Sequence, residues 1–340
     1  MLQLASPLKW PRRVARRLIG TLAVGIVMLT AAPHGQTPQL PARSADRPAP
    51  QVTFKAGVEV VTVSAAVRDR RNRVVQDLKR ADFEVIDSGE SREINDFYAG
   101  ESPVSVAVLL DISGSMAVGG NIERGREAVK VALGNLEPKS DEAAFYTFDS
   151  KLRQVASFTT NMVWIGGLNL QGTPYGMTSL YDAIAAAAED VAARANKHRA
   201  LLVITDGVDT GSRLTAAEVS GIASSIDVPV YLLTVVNPLD HPQGEFSVVD
   251  SDADASAKTA TLADLARWTG GDMRISSVPA HTLEAVRDLF TELRHQYLIT
   301  FEPGARPGWH PLEIRTKKKN LVVHARSGYI SGPVAARSGS

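Results

Sequence analysis

Apolar and polar residues alternate along residues 58–97, the first part of the chain with a regular pattern. Alternation with a period of two is typical of a strand that buries one face. The segment DFEVIDSGESREINDF continues the pattern around a turn at residues 87–90, with Phe83 and Val85 on one face. We therefore expect several short strands, the first of them half-buried. Its inward residues are predicted to be Val61, Val63, Ala65 and Val67.

Between residues 103 and 296 the apolar runs are continuous instead: SVAVLL, ALLVIT and VPVYLLTVV. Continuous runs are expected for parallel strands that are covered on both faces. Stretches with helical spacing separate them, and Thr215 and Glu218 are spaced as a capping box at a helix start. The alternation predicts an α/β fold with a Rossmann-like, doubly wound and mostly parallel sheet. Two helix faces are predicted to point into its core: Ile184, Ala187, Val191 and Ala195, and Leu283, Val286, Phe290 and Leu293.

Three short strand-like runs follow the last helical stretch: QYLITFEP, PLEIRT and LVVHARSGY. The β-segment at residues 52–102 is too short for a comfortable core of its own. We therefore expect residues 297–332 to pack with it in a small antiparallel β-sandwich, with the domain at 103–296 inserted between the two halves. Separate N- and C-terminal modules are the alternative. The turn that contains Lys317, Lys318 and Lys319 is interpreted as a solvated hairpin tip.

The first 32 residues have the order of a signal peptide, with PRRVARR before the apolar run LIGTLAVGIVMLTAA. Cleavage is expected after Ala32. The run is short for a membrane span, which needs about 20 residues, and an uncleaved anchor is the alternative. Residues 33–51 predict a proline-rich flexible linker, and residues 333–340 a flexible tail. The protein is expected to be exported, as a periplasmic, secreted or cell-surface protein that is not inserted in the membrane after cleavage.

The amino-acid composition excludes several kinds of functional site. The 340 residues include no cysteine, which excludes thiolate metal sites, disulfides and cysteine catalysis. Lysine plus arginine and aspartate plus glutamate both number 37, so no nucleic-acid partner is indicated. Asp250, Asp252 and Asp254 have the spacing of half a calcium loop, but Ala255 and Thr261 stand where that loop needs glycine and glutamate. A solvated loop is the preferred interpretation of that segment.

Oxygen-bearing side chains cluster where the predicted strands end. Asp111 ends the run SVAVLL, and Ser113 and Ser115 follow it in a Ser-Gly-Ser turn. Asp206 ends ALLVIT in the same way, and Thr178 stands at the start of the preceding helix. Functional groups in open parallel sheets gather at the carboxyl ends of the strands, so these five side chains can converge. A set that offers only oxygen favours a hard cation, and we expect one Mg²⁺ or Mn²⁺ per chain.

These elements resemble the von Willebrand factor A family: DISGS at 111–115, a threonine before LYDA, and ITDG at 204–207. In that family they form the metal-ion-dependent adhesion site. The resemblance implies that a partner protein or peptide supplies a carboxylate to the cation. It also implies a role for each candidate: hydroxyl ligands for Ser113, Ser115 and Thr178, and carboxylates that hold water ligands for Asp111 and Asp206.

The segments on either side of the central domain resemble one branch of this family. VRDRRNRVVQDLKRADFEVIDSGESREINDF before the domain and RSGY after it are similar to the acidobacterial-type branch of exported A-domain proteins. Met177 departs from that branch, in which glycine is more frequent at this position.

Two function classes are consistent with this site. The first is an exported, divalent-cation-dependent module that binds a protein. The second is a metal-dependent enzyme, or a subunit of one, in which the cation polarises a substrate. The absence of a second constellation of acids and bases near the motifs favours a non-catalytic binding module. Since the metal loop is expected to be exposed, Asp111→Ala should remove the cation and leave the fold intact.

Overall fold

The computed structural model describes residues 60–167, 170, 172–237 and 261–332. Four predicted segments lie outside these residues and stay predictions. They are the signal peptide (1–32), the linker (33–51), the acidic loop at 250–254 and the tail (333–340).

Short strands flank a central region in which strands and helices alternate. In chain order the strands are β1 Val61–Asp69, β2 Phe83–Asp87, β3 Glu90–Arg92, β4 Ile94–Tyr98, β5 Val104–Asp111, β6 Glu142–Phe148, β7 Leu152–Thr159, β8 His198–Thr205, β9 Val230–Val235, β10 Met273–Ser276, β11 Tyr297–Phe301, β12 Gly308–Thr316, β13 Leu321–Ala325 and β14 Gly328–Ser331. The α-helices are α1 Asn121–Gly134, α2 Met162–Gly166, α3 Leu180–Ala192, α4 Ala216–Ser225, α5 Leu262–Thr269 and α6 Pro279–Arg294. Short 3₁₀ stretches cover Arg80–Asp82 and Gly114–Gly120.

The continuous apolar runs form the central six-stranded sheet, in the order β10-β9-β8-β5-β6-β7. Its strands are parallel except β7, which runs antiparallel to β6 at one edge. Helices α1, α2 and α6 cover one face, and α3, α4 and α5 cover the other. Every residue of β5 and of β9 is buried, which explains why their sequences do not alternate. The predicted doubly wound, mostly parallel fold is confirmed.

The predicted helix faces are correct in their centres and wrong at two ends. Ala195 lies beyond the end of α3 and is exposed, because the helix stops at Ala192. Leu283 is exposed as well, since the inward stripe of α6 runs through Ala285, Val286 and Leu289 instead. The predicted capping box at the start of α4 is present, with the Thr215 hydroxyl accepting from the backbone N–H of Glu218 at 3.3 Å.

The flanking segments form two four-stranded antiparallel sheets, in the orders β13-β1-β11-β4 and β14-β12-β2-β3. Each sheet combines strands from before and after the central region. Their shared core contains Val63, Val85, Ile299 and Ile314, each at most slightly exposed. The rings of Phe83 and Tyr297 pack with centroids 5.0 Å apart. The predicted sandwich built from both flanks is therefore confirmed.

The expectation that β1 is only half-buried is wrong. Ser64, Ala66 and Arg68 alternate with the inward residues, yet they are buried too. The second face of β1 lies against the central domain, where the Ser64 hydroxyl donates to Asp227 at 2.9 Å. Arg68 forms a buried ion pair with Glu292 of α6. An alternating pattern thus identified the strand but not the second surface that it contacts.

Two turns of the sandwich differ in how well the sequence described them. Ser88 and Gly89 both have positive φ (53° and 86°), which is typical of the tight hairpin turn predicted between β2 and β3. Lys317, Lys318 and Lys319 are exposed as predicted, but they do not close a hairpin. They connect β12 to β13, which belong to different sheets.

Candidate metal centre

Asp111 is the last residue of β5 and has no exposed surface. Its carboxylate accepts from the backbone N–H of Ser113 at 2.8 Å and from the hydroxyl of Thr205 at 2.6 Å. Burial raises the pKa of Asp111 to about 6, and the charge of Asp206 acts in the same direction against these hydrogen bonds. The carboxylate is therefore held rigidly behind the loop in surroundings that disfavour its charge.

This burial corrects the expectation about Asp111→Ala. The loop is not exposed at Asp111, and removing the carboxylate leaves the Thr205 hydroxyl and the Ser113 N–H without this acceptor. A buried donor that loses its acceptor costs about 1–3 kcal/mol. An alanine at Asp111 is thus expected to affect stability as well as metal binding.

Ser113 immediately precedes the 3₁₀ stretch that follows β5, and Ser115 lies on it. Ser113 is buried and Ser115 is half-buried, so the pair lies between the core and solvent. Their hydroxyl oxygens are 3.1 Å apart. Adjacent ligands of an octahedral Mg²⁺, at about 2.0–2.1 Å from the ion, are about 3 Å apart. The spacing of the two hydroxyls therefore fits two neighbouring positions on such a cation.

The loop that carries Thr178 is fastened to the first loop by its backbone. The N–H of Gly114 donates to the carbonyl of Gly176 at 3.0 Å, and the N–H of Tyr175 donates to that of Ile112 at the same distance. A side chain at position 114 would bring its Cβ to 3.3 Å from the Gly176 oxygen, so glycine permits this close approach. Thr178 itself is buried.

Asp206 is on the third loop, directly after β8, and is half-buried. This loop is joined to the second one, because the carbonyl of Thr178 accepts from the N–H groups of Thr210 and Gly211 at 3.0 and 2.8 Å. The negative charge of Asp206 also helps to raise the pKa of Asp111. The structure thus connects all three loops that carry the five candidates.

Two supporting residues were missed by the sequence reasoning. Thr205 binds Asp111, as described above. Asp209 accepts from the backbone N–H of Leu180 at 2.8 Å and from the hydroxyl of Ser212 at 2.6 Å, which fixes the start of α3 to the third loop. For Asp209, the available signal was the mostly polar run VDTGS directly after ITDG, which is longer than one turn requires.

The donor chemistry limits which metals fit. Within the described residues, no group of three or more His, Cys, Asp or Glu is placed to hold a metal ion. The candidate set contains two carboxylates and three hydroxyls, so it would bind a cation through oxygen alone. Oxygen ligands suit Mg²⁺ and Mn²⁺ rather than soft metals. The residues present therefore fit the cation that the sequence predicted.

The central domain is a doubly wound α/β domain with three joined polar loops. Two of these loops directly follow β5 and β8, and the other one precedes α3. The family model described as von Willebrand factor type A domain matches residues 106–208, which include all five candidate residues. The chain therefore carries a von Willebrand factor type A domain, as its motifs indicated. The narrower resemblance of the flanks to the acidobacterial-type branch stays a prediction.

Several solved structures are similar to this chain. BatB from Bacteroides thetaiotaomicron is 17% identical with a TM-score of 0.42, over 56% of this chain and 98% of that one. A von Willebrand factor type A protein from Catenulispora acidiphila is 12% identical with a TM-score of 0.42, over 82% and 75%. Proximal thread matrix protein 1 from the mussel byssus, with a zinc-occupied MIDAS motif, is 16% identical with a TM-score of 0.45, over 62% and 50%. A search of curated proteins gave no match. None of the described helices is long and apolar enough to cross a membrane.

Proposed function

We propose that this protein is an exported, non-catalytic binding module in which one Mg²⁺ or Mn²⁺ per chain holds a carboxylate of a protein or peptide partner. The observation that carries the proposal is the pair of hydroxyls of Ser113 and Ser115, 3.1 Å apart in front of the buried carboxylate of Asp111. Three loops joined by backbone hydrogen bonds keep this arrangement in place.

Each candidate residue has a distinct part in the proposed site. Ser113, Ser115 and Thr178 would bind the cation directly through neutral hydroxyls. Asp111 and Asp206 would act through water, with Asp111 fixed by Thr205 and by the backbone of its own loop. Neutral direct ligands leave most of the charge of the cation uncompensated, so the bound ion supplies an electrophilic position that favours an anionic ligand. A carboxylate of a partner protein is the ligand that this arrangement suits best.

Calorimetric titration with Mn²⁺ tests the metal site. We expect Ser113→Ala and Ser115→Ala to weaken Mn²⁺ binding strongly, because each removes one proposed ligand without removing a buried charge. Ser140→Ala is the matched control, since this exposed serine lies just before β6 at the opposite edge of the sheet. Unchanged Mn²⁺ affinity in both site variants would refute the proposal.

A further inference from the structure

The three loops that carry the candidate metal residues expose several large apolar side chains, although a solvated loop is usually polar. Twelve such side chains are exposed in the described part of the chain, and four of them lie on these three loops. We call this set the apolar rim: Val118 (66% exposed), Tyr175 (83%), Met177 (55%) and Val208 (47%). Apolar side chains that gather around a polar site are a mark of an interaction surface.

The members of the apolar rim are distributed over all three loops of the candidate site. Tyr175 and Met177 lie on the second loop, next to the Gly114–Gly176 hydrogen bond that joins it to the first. The Cε of Met177 is 2.9 Å from the position that a Cβ at Gly211 would occupy, so Met177 lies over the third loop. Val118 and Val208 come three residues after Ser115 and two residues after Asp206. Every loop that would hold the cation therefore also presents an apolar side chain.

The fold does not account for this exposure. Met116, on the same 3₁₀ stretch as Val118, is fully buried and belongs to the core of the central domain. Val118 interrupts that stretch with an extended conformation (φ −78°, ψ 137°) and is left in solvent. The backbone N–H of Tyr175 donates to the carbonyl of Ile112 and so joins two loops, whereas the side chain of Tyr175 is almost completely exposed. Polar residues at Val118 and Tyr175 would serve the loops equally well.

We propose that the apolar rim recognises large apolar side chains beside the bound carboxylate, so that the partner is a segment with Asp or Glu within three residues of Leu, Met or an aromatic residue. The inference rests on the proposed function, because the cation would hold the acid. A cation alone accepts any carboxylate, and discrimination between partners must come from the groups around it. In an extended segment, residues are about 3.3 Å apart, so neighbours of the acid come within reach of the rim.

A peptide display experiment tests this preference on the full chain. Peptides with one fixed Glu and random flanks are selected in Mg²⁺ and eluted with EDTA. We expect enrichment of Leu, Met, Phe, Tyr or Trp within three positions of the Glu. A synthetic peptide from this selection is then titrated against the rim variants Tyr175→Ser and Met177→Ser. Each is expected to bind the peptide about tenfold more weakly, with unchanged Mn²⁺ affinity by calorimetry.

Matched controls separate the rim from general surface effects. Val322→Ser and Ile330→Ser change exposed apolar residues of the β-sandwich and should leave peptide affinity unchanged. Tyr175→Phe should retain affinity, because it keeps the apolar ring and removes only the hydroxyl.

The possible outcomes distinguish this inference from the proposed function. If the selected Glu peptides show no preferred flanking residues, or if both rim variants bind the peptide with unchanged affinity, the inference about the apolar rim is wrong. The proposed carboxylate site is not affected by either result. Equal capture of Glu peptides and their Gln counterparts overturns both. Mg²⁺-dependent dimerisation of the chain that Met177→Ser abolishes, measured by sedimentation, means that a second copy covers the rim, and the inference is then wrong.

Discussion

The central sheet buries carboxylates at both ends of its strands, called here the amino edge and the carboxyl edge, but the groups around these carboxylates differ. At the amino edge, which adjoins the sandwich, Glu292 pairs with Arg68, and Asp141 pairs with Arg294 at 2.6 Å. The hydroxyl of Tyr231 also donates to Glu292 at 2.8 Å. At the carboxyl edge, Asp111 accepts only from neutral groups of Ser113 and Thr205. Charged partners satisfy the first set, whereas no lysine or arginine of the described residues pairs with Asp111.

This difference separates carboxylates that are compensated within the fold from one that has no cationic partner among the described residues. A buried carboxylate with a guanidinium partner is internally compensated. A buried carboxylate without a cation has a raised pKa, as Asp111 does, and gains from any cation that arrives. Both edges look alike in a list of acidic residues. Their partners give them opposite roles, and the predictions below test that contrast.

The largest expected effect is loss of the sandwich when its C-terminal strands are removed. Deleting residues 303–340 removes β12, β13 and β14, and β2 then loses the partner strand that pairs Val85 with Ile314. Phe83, Val85 and Phe97 should become accessible, and limited proteolysis should cut the chain between residues 70 and 98. Deleting only residues 333–340 is the control and should leave the digestion pattern unchanged. An undiminished protease resistance in the longer deletion would show that β1 to β4 fold without β12, β13 and β14.

Arg68→Ala should destabilise the protein severely at the amino edge. It leaves Glu292 buried without its guanidinium partner, and breaking a buried pair in this way costs about 3–5 kcal/mol. Urea unfolding followed by circular dichroism measures the free energy of unfolding. Lys130→Ala, which breaks a solvent-exposed pair with Glu127, is expected to have no measurable effect. If the two variants are equally stable, the amino edge is not held by its charges.

Asp87 in the sandwich provides a pH-dependent test of a paired carboxylate. Burial opposes its charge, but hydrogen bonds from His310 (2.8 Å) and from the N–H of Gly304 (2.8 Å) hold its pKa below the usual value. Because its pKa is lowered in the folded protein, the ionised carboxylate stabilises the fold at pH values above its pKa in the unfolded chain, about 3.9. This stabilisation is lost as the pH falls through the pKa of the folded protein. Asp87→Asn should therefore lower the free energy of unfolding by about 1–3 kcal/mol at pH 7.

The same variant measured at pH 3 completes this test. The difference between Asp87→Asn and the unchanged protein should shrink there, because at pH 3 the carboxylate is mostly protonated in the unfolded chain and its charge then favours the folded state less. A difference that is as large at pH 3 as at pH 7 would mean that the charge of Asp87 does not contribute.

The smallest expected effect has the opposite sign. In EDTA at pH 8, Asp111→Asn should raise the free energy of unfolding by about 1–2 kcal/mol, because it removes a buried charge whose pKa is raised and keeps an acceptor oxygen. Mn²⁺ should then stabilise the unchanged protein and not the variant, measured as a shift in thermal unfolding. Asp141→Asn is the matched control at the amino edge and should destabilise, since it leaves Arg294 unpaired. Destabilisation by both substitutions would remove the distinction between the edges.

Sequence reasoning was most successful where one property dominates a segment. The buried strands β5, β8 and β9, of which β8 is partly exposed only at Arg199, follow from their continuous apolar runs, and the start of α4 follows from its capping box. The edge strand β7 was missed because Ala156 is its one fully buried residue, so its sequence lacks a regular apolar pattern. Asp87 was assigned to a turn, yet it has no exposed surface, and its carboxylate binds Arg92, the N–H of Gly304 and His310.

The sequence by itself determined the class of fold, the strands that end at Asp111 and directly before Asp206, and the residue types that a hard cation would need. Local spacing and composition suffice for these, because they depend on short segments and on side-chain chemistry. Only the tertiary structure decided which buried carboxylates have a cationic partner, since Arg68 and Glu292 are 224 residues apart in the chain. It also decided that Asp111 is fully buried and that four apolar side chains are exposed on the loops of the candidate site. Burial and pairing depend on what other segments bring to a residue, and no local pattern contains that information.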